Sequence, residues 1–583
     1  MGPVIHTLQT LALCLAALAC RPQQAPERVL VLDLLDNGSF EEQAPQGVPW
    51  WRTSRGAAQL ASDAGANCLV TRAGEFAEQP IAAYAPLSAQ LVIEGEVRGD
   101  GLLTLSDGSR AEVRTELKGT GWRPFVVRDT KLAQPRFTLR LEALGQDEAR
   151  WRKLHARVAL PCPDEAALRE EIRRCLEQIV APWLERCLDA QGPRKTALLT
   201  HVPDAVSGAA LETIPGGFHP FWEQLWNAAR ALDEPRWLAA FESYAGDYLE
   251  LCFDPATGLP RLWDGERDVP LPESSVEIAL PLGFLIDLAD HGPEKLRARA
   301  RAAALKIGET VLAQGVMPDG SISAKYFPAS AKTDPGVVSL RRFDVAAQLA
   351  RLTALSGDAR FLRASGEALA AFEFTQAWAG EWSRIDPSFD DDFGHYGARA
   401  VTIAGAAPSD ALFRRFALEG FAHFEPLWRD ALRLGGNVAA DQVRCWVLLA
   451  DLARLDEQAG ARIRPLLSAA VRSHFKGEQY EDGAWGDVTI FGFDPNPNLQ
   501  VGDYPGAPQN LLHGLAALYR KDLGLRTDEQ RALYTAVLRS SIRAYLEPHG
   551  FLMTRKRSSG SNRADGTLRM MLGLSKMLAA LRG

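Results

Sequence analysis

Asp390, Asp391 and Asp392 stand side by side in the segment WSRIDPSFDDDFGHYGAR (Trp382–Arg399), and His395, Tyr396 and Arg399 follow at once. Three adjacent carboxylates repel one another, so one of them can have its pKa raised toward the range useful to a general acid. The bland reading of the same residues is a solvated turn, because Asp and Gly are what tight turns require whatever their function. A second acidic segment, GEQYEDGAWGDVTIFGFDPNPNLQVGDYPGAPQN (Gly477–Asn510), holds six acids and no Lys or Arg between Glu478 and Asp503. It also offers Tyr480, Trp485, Phe491, Phe493 and Tyr504. Aromatic faces beside carboxylates are what sugar binding asks for: rings stack on C–H faces while acids accept hydroxyl hydrogens. The alternative is a surface excursion that covers the apolar ends of two helices.

Hydrolysis of a glycosidic bond needs two carboxyl groups flanking it, one protonated to assist the leaving group. The two segments can each offer one, and the reading pairs Asp391 or Asp392 with Glu481 or Asp482, acid and base in open order. Trp382, Arg399, Tyr480, Trp485, Asp487 and Tyr504 then become substrate contacts, joined by His219 and Trp222 of GGFHPFWEQLW and by Trp263 of GLPRLWDG. β-Elimination is the competing chemistry. There a Tyr or His removes the proton α to a uronate carboxyl and cations stabilise the anion. His395, Tyr396 and Arg399 suit that route, as does Arg555 in the basic stretch RKRSSGSNR (Arg555–Arg563). No C-x-x-C occurs, and DPNPN (Asp494–Asn498) has Leu499 where a calcium loop needs glycine, so neither metal nor cofactor is expected.

These residues need a scaffold. A chain of 583 residues exceeds one core, so two or more domains are expected. The net charge of −8 argues against nucleic-acid binding. Between Val29 and Leu160 apolar residues alternate: Phe137, Leu139 and Leu141 in one stretch, Leu154, Ala156, Val158 and Leu160 in another, with Ala111, Val113 and Leu117 fitting a third. About eight such half-polar strands suggest a β-sandwich. After Pro163 the apolar period becomes 3.6, giving helices over 164–190, 220–232, 234–252, 273–290, 294–314, 337–355, 358–378, 409–433, 437–456, 460–475, 507–523, 526–546 and 564–581. Ser274 or Ser275 is placed to cap the fourth, and Asn437 the ninth. Five turns punctuate this half: DPATGLP (Asp254–Pro260), MPDGSIS (Met317–Ser323), DDDFGHY (Asp390–Tyr396), EDGAWGD (Glu481–Asp487) and EPHGFLM (Glu547–Met553). Such repetition reports helical hairpins stacked about an axis, with alternate loops gathered on one face.

Several segments resemble known families. LLDNGSFEEQAPQGVPWW (Leu34–Trp51) is similar to the start of jelly-roll carbohydrate-binding modules of the galactose-binding-like type. The helical half with its Gly/Asp turns resembles the (α/α)6 toroids of glycoside hydrolases and polysaccharide lyases. QYEDGAW (Gln479–Trp485) matches once the Q-x3-G-x-W repeat of terpenoid cyclases, whose acid cluster is not cleanly matched. At the N-terminus the apolar run Leu8–Ala19 has the length of a secretory signal, and Ala17-Leu18-Ala19-Cys20 resembles a bacterial lipobox, which implies lipidation of Cys20. Cys175 and Cys187 share an apolar helical stripe roughly 18 Å apart, which makes buried thiols of them rather than a disulfide.

The expected organisation is a signal segment over 1–20, a linker over 21–28, a β-sandwich over 29–162 and a toroid over 164–583. The function expected is cleavage of glycosidic bonds in an extracellular polysaccharide, by hydrolysis ahead of β-elimination. Its site would be periplasmic or at the cell surface, with the membrane touched only through the lipid. A non-catalytic cell-surface glycan-binding protein is the rival, and a terpenoid-cyclase-like enzyme a distant third.

Overall fold

The computed structural model describes residues 28–181, 200–370, 443–474, 507–542 and 564–582, short breaks inside the first two ranges excepted, together with some residues between 418 and 429. Eleven strands make the N-terminal region: β1 (Val29–Asp33), β2 (Arg52–Thr53), β3 (Gln59–Asp63), β4 (Ala66–Thr71), β5 (Phe76–Ala82), β6 (Val92–Arg98), β7 (Gly101–Ser106), β8 (Glu112–Leu117), β9 (Arg123–Arg128), β10 (Arg136–Ala143) and β11 (Ala149–Pro161). They form two antiparallel sheets, β3-β4-β11-β6-β9 and β2-β5-β10-β7-β8, with β1 paired to the C-terminal half of β11. Eight strands were expected; the extra ones are short or edge pieces such as β2, whose two residues carry no readable alternation.

The alternation read from the sequence is what packs the sheets. Leu139 and Leu141 of β10 and Ala156, Val158 and Leu160 of β11 are all fully buried. The buried phase of β11 changes midway, from Ala149 and Trp151 to Leu154 onward, because the register slips between Arg152 and His155. Lys153 absorbs the slip at φ 50°, a β-bulge conformation. Trp151 anchors the core: its Nε1 donates to Thr71 Oγ1 at 3.1 Å and its ring meets Phe125 edge-on at 6.2 Å. Of the Trp50-Trp51 pair, Trp51 is buried against Phe40 and is therefore core; Trp50 lies outside the described residues.

Beyond the sandwich the described residues are mainly helical, with short strand pairs Thr200–Pro203/Ala210–Ile214, Trp263–Asp264/Val269–Pro270 and Val276–Glu277/Lys325–Tyr326. The helices are α1 (Glu165–Cys175), α2 (Trp222–Leu232), α3 (Pro235–Leu251), α4 (Ala279–His291), α5 (Glu294–Gln314), α6 (Arg342–Ser356), α7 (Ala359–Ala370), α8 (Val443–Leu455), α9 (Glu457–His474), α10 (Ala507–Leu518), α11 (Asp528–Ser541) and α12 (Ala564–Arg582). Periodicity located these elements well. α1 runs directly into a π-helical turn at Leu176–Val180, and residues 182–190 of the helix expected over 164–190 lie outside the described residues. The cap expected at Ser274 or Ser275 is corrected: Val276–Glu277 is a strand paired with Lys325–Tyr326, and α4 opens at Ala279 with Ile278 in the cap position. Apolar residues at this point satisfied either period, and pairing with a distant strand decided. Asn437 lies outside the described residues.

Neighbouring helices run antiparallel, and a few contacts fix their common sense. Glu165 and Glu171 of α1 meet Arg526 and Arg539, before and in α11, so α1 and α11 are parallel. Gly283 faces Gln348 and Asp287 binds Arg351, so α4 and α6 are parallel, while Ser365 of α7 reaches back to Ala346 of α6. Arg173 donates to Leu232 O and Arg582 to Arg230 O, which brings the C-terminal ends of α2 and α12 to α1. Tyr519, just past α10, donates to Glu165, and Arg520 pairs with Asp451 of α8. Even-numbered helices therefore end, and odd-numbered helices begin, at one rim. Its connections are short: Gly292–Pro293 after α4, Gly357–Asp358 after α6 and Asp456 after α8. The opposite rim carries longer ones, 252–278 and 315–341; between α7 and α8 the described residues of 418–429 are helical, and the rest of 371–442, 475–506 and 543–563 lies outside the described residues. α12 packs on α1, α2 and α10, so the last helix seals against the first two.

Candidate active site

The rim opposite the short connections is where side chains from separate helices can converge, and two of the five Gly/Asp turns lie there; the other three fall outside the described residues. Asp254, after α3, folds DPATGLP by accepting from the backbone N–H of Ala256 at 2.9 Å and of Thr257 at 3.0 Å. Gly258 sits at φ 75°, and a Cβ there would strike the Lys306 side chain. Thr257 then ties this turn to its neighbours: its hydroxyl donates to Pro328 O at 2.6 Å, and Thr310 donates to Thr257 O at 2.7 Å. Lys306 of α5 donates to Pro255 O at 2.7 Å. The second turn, MPDGSIS, closes between Met317 and Ser321 with Gly320 at φ 83°. The two rim loops are thus cross-braced before any ligand arrives.

A strand pair completes the brace. Val276–Glu277 on the approach to α4 pairs with Lys325–Tyr326 beyond the second turn. Glu277 and Lys325 face each other at 3.7 Å, each about three-quarters buried. This carboxylate–ammonium pair at the mouth of α4 was missed in the sequence, where VEIALPLGFLI reads as one helix. The signal that could have found it is Val276 buried with Glu277 turned outward, a two-residue alternation too short to register. Tyr326 is buried and its hydroxyl is pushed above the ordinary phenol range by that burial. Trp263, a suggested cleft aromatic, is buried with Arg261 over its ring at 5.3 Å and belongs to the support of the rim.

The residues expected to carry chemistry lie elsewhere. Trp382, Asp390, Asp391, Asp392, His395, Tyr396 and Arg399 fall outside the described residues, as do Tyr480, Glu481, Asp482, Trp485, Asp487 and Tyr504. His219, Arg555 and Cys20 do so as well. Trp222 is the first residue of α2, and its side chain is not among those described. In the sequence, segments 382–399 and 477–504 follow α7 and α9, whose described parts end at Ala370 and His474.

No protein-family model and no curated protein matches this sequence. Among solved structures, the chain is similar to a cellobiose 2-epimerase from Bacillus thermoamylovorans, at 13% identity over 71% of this chain and 99% of that one, TM-score 0.42. It is similar to a family 76 glycoside hydrolase from a bovine Bacteroides thetaiotaomicron strain at 8% identity, 90% and 99% coverage and TM-score 0.35. A xylan-binding domain from Paenibacillus barcinonensis is matched over 22% of this chain and 94% of that one, at 17% identity and TM-score 0.18. At these scores the likenesses assign no activity.

Proposed function

We propose that this protein is an exported carbohydrate-active enzyme that cleaves glycosidic bonds in an extracellular polysaccharide, by acid/base hydrolysis rather than β-elimination. The observation that supports it most is the common sense of the odd-numbered helices. α3 and α5 hand over to two of the five Gly/Asp turn segments, and the loops that carry these two turns are braced together on one rim. In this reading segments 382–399 and 477–504, which follow α7 and α9 in the sequence, bring their carboxylates to opposite sides of one cleft. In this reading Asp391 or Asp392 and Glu481 or Asp482 act as the acid–base pair, and Trp382, Tyr480, Trp485 and Tyr504 stack on sugar rings.

The second reading is a uronate lyase, favoured by the basic segment Arg555–Arg563, which follows α11 in the sequence. A polysaccharide panel read by reducing-end release and by absorbance near ~235 nm, the unsaturated uronate signature of β-elimination, separates the two. Reducing ends without absorbance, lost in Asp391→Asn, are the expected result. Absorbance rising with the reducing ends moves the chemistry to His395 and Tyr396. Full activity in Asp391→Asn and Asp392→Asn together removes the assignment, and binding without turnover favours the glycan-binding reading. Lipidation at Cys20 forms part of the proposal, tested by palmitate incorporation that Cys20→Ala abolishes.

A further inference from the structure

An odd-numbered helix of this array should bury one stripe and leave the other to water, as α5 does with Leu296, Ala300, Ala304, Ile307 and Val311. α11 does not. Every residue from Gln530 to Leu538 is at most 7% exposed, including Arg531 and Thr535. One side is covered by α10; β1 and β11 of the sandwich pack on the helix as well. The contact is polar at its centre. Arg531 donates through Nε to Pro163 O at 2.7 Å and through Nη1 to the Tyr519 hydroxyl at 3.2 Å. Its Nη2 also meets Asp528 and lies 3.7 Å from Cys162 Sγ. The Cys162 thiol donates to Asp528 O at 3.5 Å, and Arg28 at the start of β1 pairs with Asp528.

One guanidinium therefore satisfies groups from the end of the sandwich, the end of α10 and the start of α11. Removing it would take from the buried Pro163 carbonyl its donor and from the Tyr519 hydroxyl the bond it accepts, leaving the latter only its donation to Glu165. The position matters as much as the chemistry. Pro163, Tyr519 and Asp528 all belong to the short-connection rim, opposite the braced loops 252–278 and 315–341.

We infer that the β-sandwich is a fixed buttress of the helical region, seated through Arg531 on the rim opposite the braced loops 252–278 and 315–341, and that the two fold as one cooperative unit. It is not a module that swings to deliver substrate. This inference is independent of the activity proposed above.

The test is hydrogen exchange by mass spectrometry on the full chain across a urea series, compared peptide by peptide with Arg531→Met. One common unfolding midpoint is expected in the wild type for peptides of β10, β11, α5 and α11. In Arg531→Met, protection of the β11 and α11 peptides should fall by about tenfold or more, the effect of roughly 1.4 kcal/mol or greater, and the midpoints should part. Separate midpoints for sandwich and helices in the wild type overturn the inference, as does an Arg531→Met profile identical to it. If that variant does not accumulate folded, the wild-type profile decides alone.

Discussion

Two glycines placed inside helices should respond in opposite directions to the same substitution. Gly573 of α12 lies where α12 meets α10: a Cβ there would sit 2.8 Å from His513 N and 2.9 Å from Leu512 C. Both are backbone atoms, so no side chain can swing aside, and ordinary carbon contact begins near ~3.5 Å. The helices must separate by several tenths of an ångström. Overpacking of this kind costs about 1–3 kcal/mol, against a gain of about 1 kcal/mol in helix propensity. Gly573→Ala should therefore destabilise by up to about 2 kcal/mol, and should disturb the 2.7 Å contact between His513 and Lys576 one turn on. Gly246 in α3 has nothing within 4 Å of its added Cβ. There Gly246→Ala should stabilise by about 0.5–1 kcal/mol. Thermal unfolding followed by helical circular dichroism, with wild type alongside, measures both. A midpoint for Gly573→Ala at or above wild type, or shifts of the same sign in both variants, would show that the α10–α12 approach is looser than the backbone distances state.

Three further outcomes follow from the charges and thiols. Glu165 is held down to about 2 from 4.5, first by the Arg526 fork and then by the Tyr519 hydroxyl. A depressed carboxylate contributes stability that is complete above pH 4.5 and is lost as pH falls toward 2. The full shift corresponds to about 3.4 kcal/mol, but Glu165 is 36% exposed, and screening brings the expected loss to about 1–2 kcal/mol. Glu165→Gln should flatten that part of the stability–pH curve, and an unchanged slope between pH 5 and pH 2.5 would count against the fork (window set by the ~2.5-unit shift). Burial pushes the thiols of Cys175 and Cys252 up to about 12, so iodoacetamide near pH ~8 should leave both unlabelled in native protein and label both in urea. Trp151→Ala should cost about 3–5 kcal/mol by the cavity it leaves, measured as a lowered urea midpoint for β11 peptides.

The sequence by itself determined where the elements lie and what kind they are. Period two placed β10 and β11 with their buried residues, and period 3.6 placed α5 at the residues it occupies, because burial of one face demands that spacing over a local window. Turn chemistry marked DPATGLP and MPDGSIS, since Asp and a positive-φ Gly act within a few residues. For the candidate site it determined composition: the carboxylates and aromatics of 382–399 and 477–504, which remain outside the described residues. Tertiary structure decided everything that joins distant residues. The strand at Val276–Glu277 exists because Lys325–Tyr326 lies beside it, and the pair Glu277–Lys325 follows from that. The bulge at Lys153 is set by the strand across from it, and the burial of Arg531 by a sandwich more than 360 residues earlier in the chain. Alternation and turns are local physics, written in neighbouring residues. The sense of a helix, the rim on which a loop emerges and the partner of a buried charge are fixed only when separate elements pack, and a single strand or helix carries no record of them.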